Sequence, residues 1–559
     1  MKLKVNPYLS TVEQLVPRVL SMQNRNPMSS TYGCFDRNYW HFKTIIDFPC
    51  ATYQQVVIGL SKLFSTNINC NSYYQHPTIG ESVRSGILFW CKIQNRDGSV
   101  NEYYENDHSF CPTAYTTYAI AQSYYLIQNL FSESEKNLIV NSLLKGSRWL
   151  SKYENPDVQN QMIASMNALY WVYRITNDPV VHTGFNKRRK KILESQNKEG
   201  WFNENGSADI GYSFKDLDLF AAYLVETDDS EILSAAVRLM EFTNNFLHPD
   251  GTAGGDYGSR CTQHIFPFNL EYFTNKDIKV ANQMLAWFMY NFDRNRIIHP
   301  NIIDDKYTLY FYFNSYIQAL LIHNDKNKLI HDDNNKYLQS IIKRPTTKLF
   351  NNAGILRVQN DNVSAWFSAR RNGVCRIFYD DKLVYADTGY LIRLSDNISC
   401  ATQWEDKNAR IEYKKNSQEF NIKTIGFAGK VDDSLPLRRW IIPFKLFCKT
   451  LLYSEIFAFW FATQLKNRKI QKKYKVPVKV TRCFSLRHDC IVINDLIEIV
   501  GSSSSIVQAK LVHDVTIIHS VSSRFFQNHY LSIKSIKPRL IDETPVRCSY
   551  EYIIPFNKK

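Results

Sequence analysis

The feature that most constrains this chain is a spacing. Polar, glycine-bearing stretches recur between helical segments at multiples of about fifty residues. DGSVNEYYENDHSF begins at Asp97, EGWFNENGSADIGYSF at Glu199 and DGTAGGDYGSRCTQHIFP at Asp250. These starts are 102 and then 51 residues apart. Related stretches, NPDVQNQ and NIIDDKY, begin at Asn155 and Asn301. A unit of about fifty residues holds two helices and two connections, so the repeat is a helical hairpin. Successive hairpins put alternate loops at the same end. The polar loops are therefore expected to converge on one face.

The segments between the loops support this reading. TYQQVVIGLSKLF (52–64), PTAYTTYAIAQSYYLIQNLF (112–131), QNQMIASMNALYWVYRIT (159–176) and KVANQMLAWFMYNF (279–292) place apolar residues at three- and four-residue intervals. Ser or Asp stands before several of the helical starts as an N-cap. Six hairpins over residues 35–340 closing on themselves make an (α/α)6 toroid with a cleft at one end. Residues 1–34, interrupted by Pro7, Pro17 and Pro27, are expected to form an N-terminal extension: an accessory helix and a linker. After about residue 345 the pattern changes to short, β-branched, turn-bounded runs such as GVCRIFYDDKLVYADTGY and IVINDLIEIVG. Residues 350–559 are expected to form an antiparallel β-sandwich. The fold class is thus multidomain, α then β, as a length of 559 residues requires more than one core.

One basic, aromatic segment interrupts the strands. Residues 438–475 carry ten Lys or Arg and one acidic residue, Glu455. Lys445, Lys449 and Glu455 inside its apolar part make a bilayer span costly, so a helix lying in a membrane interface is expected. A helix packed on the sandwich is the alternative. The net charge of +15 favours an anionic partner, an acidic glycan or an anionic membrane surface. No nucleic-acid module, phosphate-binding glycine loop or zinc spacing is present in the sequence, and no nucleic acid, metal or cofactor is expected. Twelve scattered cysteines without CxxC pairs read as free thiols of a reducing compartment. The first twenty residues hold no uninterrupted apolar run, so a cytoplasmic place is expected, peripheral on the inner face of the membrane if 438–475 binds there.

The loops also carry chemistry. Four glycines lie between Asp250 and Gly258, and Tyr257, Arg260 and His264 stand close by. Tyr, Arg and His move protons or clamp anions at neutral pH. Trp201 and Phe202 are expected to wall the cleft, with Glu204 and Asp209 beside the substrate. Asp209 serves equally to hold its loop together, and His108 to cap the following helix. A glycoside hydrolase would need two carboxylates about 5 to 9 Å apart. Asp97, Glu102, Glu204, Asp209 and Asp256 are its candidates. A glycan-binding or assembly protein without a reaction is the third possibility.

Over residues 35 to 559, the toroid, the sandwich, the amide-bearing NPDVQNQ loop and the GSR glycine loop resemble the heparinase II/III-like group of polysaccharide lyases. The resemblance implies β-elimination on an acidic, uronic-acid-containing polysaccharide. It implies Asn160 as carboxylate neutraliser, Tyr257 as acid or base and Arg260 as clamp, with Tyr212 and His264 as helpers. Gln161 stands where such proteins commonly have a histidine after the asparagine, so His108 or His264 takes that place or elimination is lost. A role in assembling a bacterial capsule or O-antigen fits the absence of a leader in the reading above.

Overall fold

The computed structural model describes residues 6–44, 46–324, 345–360, 362–416, 419–431, 440–466, 475–513 and 539–556. Among the described residues, twelve α-helices longer than one turn make the first body. They are α1 (Leu9–Met22), α2 (Val57–Ser65), α3 (Pro77–Ile93), α4 (Phe110–Ile127), α5 (Glu133–Lys152) and α6 (Gln159–Thr176). Then come α7 (Pro179–Ser195), α8 (Ile210–Leu224), α9 (Ser230–Thr243), α10 (Pro267–Asn275), α11 (Lys279–Phe292) and α12 (Phe313–Ile322). The even-numbered helices form a closed inner ring, each packed on the next and α12 returning to α2. The odd-numbered helices lie outside them, each against its inner partner. Inner helices are buried on all sides, as every residue of α8 is, and outer helices on one.

The first helix differs from its sequence reading. It is no accessory: Val12, Leu15, Val16 and Val19 are buried, and α1 packs on α12 to supply the outer half of the sixth hairpin. Pro17 lies inside the helix without ending it, because burial of that apolar face outweighs one missing backbone donor.

The repeat is visible in atomic detail. Gln94 Nε2 donates to the carbonyls of Gly98 and Ser142, both at 2.9 Å. One hundred and two residues on, Gln196 Nε2 donates in the same way to Gly200 and Ala235, both at 2.8 Å. Gly98 and Gly200 have φ of 96° and 101°. A Cβ would stand 2.3 Å from the Lys145 carbonyl carbon at the first and 2.4 Å from the Arg238 carbonyl oxygen at the second. Each turn is pressed onto the outer helix of the following hairpin, and only glycine fits.

Two antiparallel sheets make the second body. The first is a meander of β1 (Thr346–Phe350), β2 (Ile355–Gln359), β3 (Val363–Ser368), β4 (Val374–Tyr379) and β5 (Lys382–Ala386). The second comprises β6 (Tyr390–Leu394), β7 (Ser399–Ala401), β8 (Arg410–Lys415), β9 (Phe420–Lys430) and β10 (Lys475–Leu486). β11 (Cys490–Ile499), β12 (Ile506–Leu511), β13 (Arg539–Thr544) and β14 (Arg547–Pro555) complete it. Its order is β12-β6-β7-β9-β10-β11-β14-β13, with β8 also on β9. The first sheet is covered on both faces, which is why β3 is buried throughout. Trp366 points to the toroid, bonding the Asn245 carbonyl at 2.9 Å, while Phe367 meets Phe484 of the second sheet at 5.0 Å.

The basic segment is a helical hairpin, α13 (Ile441–Thr450) and α14 (Glu455–Lys466). Residues 438–439 and 467–474 of it lie outside the described residues. The hairpin folds back on the toroid, where Phe459 meets Tyr153 at 4.6 Å and Phe444 meets Tyr104 at 5.5 Å. Among the described residues no helix is long and apolar enough to cross a membrane.

Candidate active site

Loop 250–262 lies against loop 199–209, and that loop against 155–160. The Ser259 amide donates to the Ala208 carbonyl at 2.9 Å and the Asn205 amide to the Asp157 carbonyl at 2.7 Å. The first sheet supports both loops from behind. Arg370 donates to the Gly206 carbonyl at 3.2 Å, Arg371 to the Ser259 carbonyl, and Arg376 pairs with Asp256 at 3.2 Å.

Glu204 is the centre of what these loops assemble. Its Oε1 accepts from the Asn160 side-chain amide at 2.5 Å and from the Asn160 backbone N–H at 3.2 Å. That backbone group belongs to the unpaired first turn of α6, where the helix dipole also favours a carboxylate. Asn160 Oδ1 accepts from the Tyr115 hydroxyl at 2.9 Å. Glu204 Oε2 meets Arg260 Nη1 at 3.3 Å, and the guanidinium lies 4.1 Å over the Tyr212 ring. The Arg260 side chain is 21% exposed and that of Glu204 only 1%, so water reaches the cluster through the arginine.

Electrostatics set the protonation states. Burial pushes the Glu204 carboxyl up to about 7, against the pull of Arg260 and Asn160. Burial also holds the Tyr212 hydroxyl well above the usual range, so it is a neutral proton donor. Burial, with the charges of Arg260 and Lys215, presses His264 down to about 3. His264 is therefore neutral at working pH, with Nδ1 3.0 Å from the Tyr312 hydroxyl and its ring stacked on Tyr307.

The far wall comes from two more loops. Lys306 Nζ donates to Glu102 Oε1 at 2.9 Å, and Tyr307 feels both Arg260 and Glu102. A π-helical turn over Thr308–Tyr312 follows, and it puts Tyr310 4.8 Å from the Tyr115 ring. Below, Lys215 lies over the Tyr115 and Phe311 rings, and burial lowers it to about 8. Such wide turns gather at functional sites.

Six expected site residues stand together or in contact: Asn160, Glu204, Asp209, Tyr212, Arg260 and His264. Asp209 holds the loop, accepting from the backbone N–H groups of Tyr212, Arg260 and Thr262 at 3.2, 2.8 and 3.3 Å. The other four lie elsewhere. Tyr257 turns away from Arg260, and its hydroxyl sits 2.8 Å from His248 Nε2 under the first sheet. The three-residue spacing would align the two side chains only on a helix, and Gly255 and Cys261 at φ of 105° and 59° show that this loop is not one. His108 is held by Asp97 and Ser99 at 2.6 and 2.8 Å. Trp201 and Phe202 are 6% and 1% exposed, bonded to Glu199 and packed on Phe220, so neither offers a face to a sugar. Gln161 accepts from Asn155 at 2.8 Å.

Tyr115, Lys215, Lys306 and Tyr307 were not singled out from sequence. The NIIDDKY loop was in phase with the others and carried the signal for Lys306 and Tyr307. Tyr115 and Lys215 lie inside apolar helices that mark neither. Among the described residues no group of three or more His, Cys, Asp or Glu side chains is placed to hold a metal ion.

No protein-family model matches this chain, and no curated protein matches it in sequence. Two of the solved structures similar to it can be compared. One is a chondroitin AC lyase of Streptomyces coelicolor A3 in complex with chondroitin sulphate, 9% identical, covering 90% of this chain and 67% of that one with a TM-score of 0.48. The other is a GH127 β-L-arabinofuranosidase from Geobacillus stearothermophilus T6, 10% identical, covering 98% and 95% with a TM-score of 0.32.

Proposed function

We propose that this protein cleaves an acidic, uronic-acid-containing polysaccharide by β-elimination at the mouth of its toroid. One observation carries the reading. Arg260 touches Glu204 at 3.3 Å and covers Tyr212 at 4.1 Å, while Asn160 bonds the same carboxylate at 2.5 Å. Elimination needs these groups together: donors for the uronate carboxylate, a base for the C5 proton and an acid for the leaving oxygen.

In the resting protein Asn160 and Arg260 hold the carboxylate of Glu204, which supports this role for them. When they turn to a uronate carboxylate, the enolate charge that develops is stabilised where it forms, an effect of about 3 kcal/mol per donor. Glu204, titrating near neutrality, takes the C5 proton. The C5 electron pair forms the C4–C5 double bond as the C4–O bond breaks, and Tyr212 gives its proton to the departing oxygen. Tyr212 replaces Tyr257 in this role.

A second reading rests on Glu204 alone, since a carboxyl raised toward neutrality is what a glycosidase uses as general acid. One assay separates them. The purified protein is incubated with acidic polysaccharides while ultraviolet absorbance of the unsaturated uronate and new reducing ends are followed. Absorbance that rises in the parent and is lost in Tyr212→Phe and Glu204→Gln, with glycan binding kept, supports elimination. Reducing ends without absorbance favour hydrolysis. Parental turnover in Tyr212→Phe discards the mechanism, and binding without either product makes this a glycan-binding protein.

A further inference from the structure

We infer that the outer face of the α13–α14 hairpin docks on an anionic lipid surface, beside the mouth of the toroid. Nine of the large apolar side chains exposed among the described residues fall between Trp440 and Leu465. Ile442 and Ile456 are 70% and 71% exposed, and Trp440, Leu446, Tyr453 and Trp460 are exposed with them. A concentration of this kind on one short element marks an interaction face. Of the four aromatic residues in α14, Phe459 packs on Tyr153 and both Phe457 and Phe461 on Phe447, and Trp460 is the exposed one. Asp47 pairs with Lys445 at 3.2 Å, and Phe42, a few residues before it, is 85% exposed.

The composition chooses the occupant. Tryptophan, tyrosine and branched aliphatics between basic residues are the make-up of a segment that lies in a headgroup layer. Residues 438–475 carry ten Lys or Arg against Glu455, which is itself paired with Lys152. A second copy of the chain would bring the same excess of positive charge in this segment, whereas an anionic bilayer neutralises it. The hairpin also grips the loop that carries Glu102. Asn106 donates to the Cys448 carbonyl at 3.1 Å, and Lys449 approaches Glu105 at 3.6 Å. A membrane under this face therefore lies beside the far wall of the site, and the glycan met there is one presented at a bilayer.

The test is co-sedimentation of the full chain with vesicles of phosphatidylcholine alone or mixed with phosphatidylglycerol. The parent is expected on the mixed vesicles and in solution at high salt. The Ile442→Ser, Ile456→Ser, Trp460→Ser variant should partition onto them at least about tenfold less, with an unchanged unfolding midpoint. If that variant is unstable, Ile442→Ser alone should still weaken binding. A parent that stays in solution with mixed vesicles overturns the inference, and so does equal binding of parent and folded variant. Dimerisation abolished by the same substitutions, without vesicle binding, would make the face a contact between copies instead.

Discussion

Replacing Asp209 separates holding a loop from doing chemistry, and the structure gives the size of the effect. Its Oδ1 accepts from the Tyr212 N–H at 3.2 Å and from the Thr262 hydroxyl, capping α8. Its Oδ2 accepts from the Arg260 N–H at 2.8 Å and, at greater length, from the Thr262 N–H. Asp209, Tyr212 and Thr262 are buried and Arg260 is partly so. Asp209→Ala removes a cap worth about 1 kcal/mol and strands the Arg260 donor, with a second weaker one, at about 1 to 3 kcal/mol each. The total is about 3 to 7 kcal/mol, a large part of the ~5–15 kcal/mol that holds a typical protein folded. Asp209→Asn keeps Oδ1 but turns an amide toward the Arg260 and Thr262 donors, so about 2 to 3 kcal/mol should go. Urea unfolding followed by tryptophan fluorescence measures both. A loss below about 1 kcal/mol in Asp209→Ala would refute the idea that this carboxylate organises the loop.

Other outcomes follow from buried charges. His264 is pressed down to about 3 when folded, whereas an unfolded histidine titrates near 6.5. The unfolded chain therefore takes up a proton that the folded one refuses, and stability falls by about 1.4 kcal/mol per unit as pH drops below about 6.5. His264→Gln should flatten that fall, read as urea midpoints at about pH 7.5 and about pH 5.5, and an unchanged slope would discount the residue. Lys306→Met should strand the buried Glu102 at about 3 kcal/mol, with part of the loss recovered by adding Glu102→Gln; additive losses in the double variant would mean the pair is not coupled. Arg482→Met leaves Asp387 and Asp495 facing each other in the sandwich core without their cation, and thermal unfolding should show a loss of about 3 to 5 kcal/mol.

The toroid was legible because its inner helices are apolar all round and its turns repeat. Gln94 to Gly98 and Gln196 to Gly200 make the same bonds, so the 102-residue interval was a structural period. The role of α1 was not legible. Its partner, α12, lies some three hundred residues away in sequence, and Pro17 argued against a continuous helix. In the site, Asn160, Tyr212 and Arg260 were readable because loop phase brings them to one end. Tyr257 misled for a local reason: left-handed Gly255 and Cys261 flank a stretch that is a loop and not a helical turn, so the three-residue spacing does not align it with Arg260. Trp201 and Phe202 misled because aromatic residues beside a polar loop serve the core as readily as a ligand. Tyr115 and Lys215 could not be found, since nothing in an apolar helix marks the residue that looks into the bore.

The seating of α1 on α12 also sets a clock. Asn6 donates to the Leu320 carbonyl at 3.0 Å, and Arg18 bonds the Pro300 and Ile303 carbonyls, so α1 and α12 close the ring on each other. At about 5 to 20 residues per second, α1 waits about 15 to 60 s for its partner to be made. Throughout that interval the face of Val12, Leu15, Val16 and Val19 lacks the helix it packs on in the folded protein. A chain stopped before residue 313 lacks α12, which leaves the ring open and the apolar face of α1 uncovered.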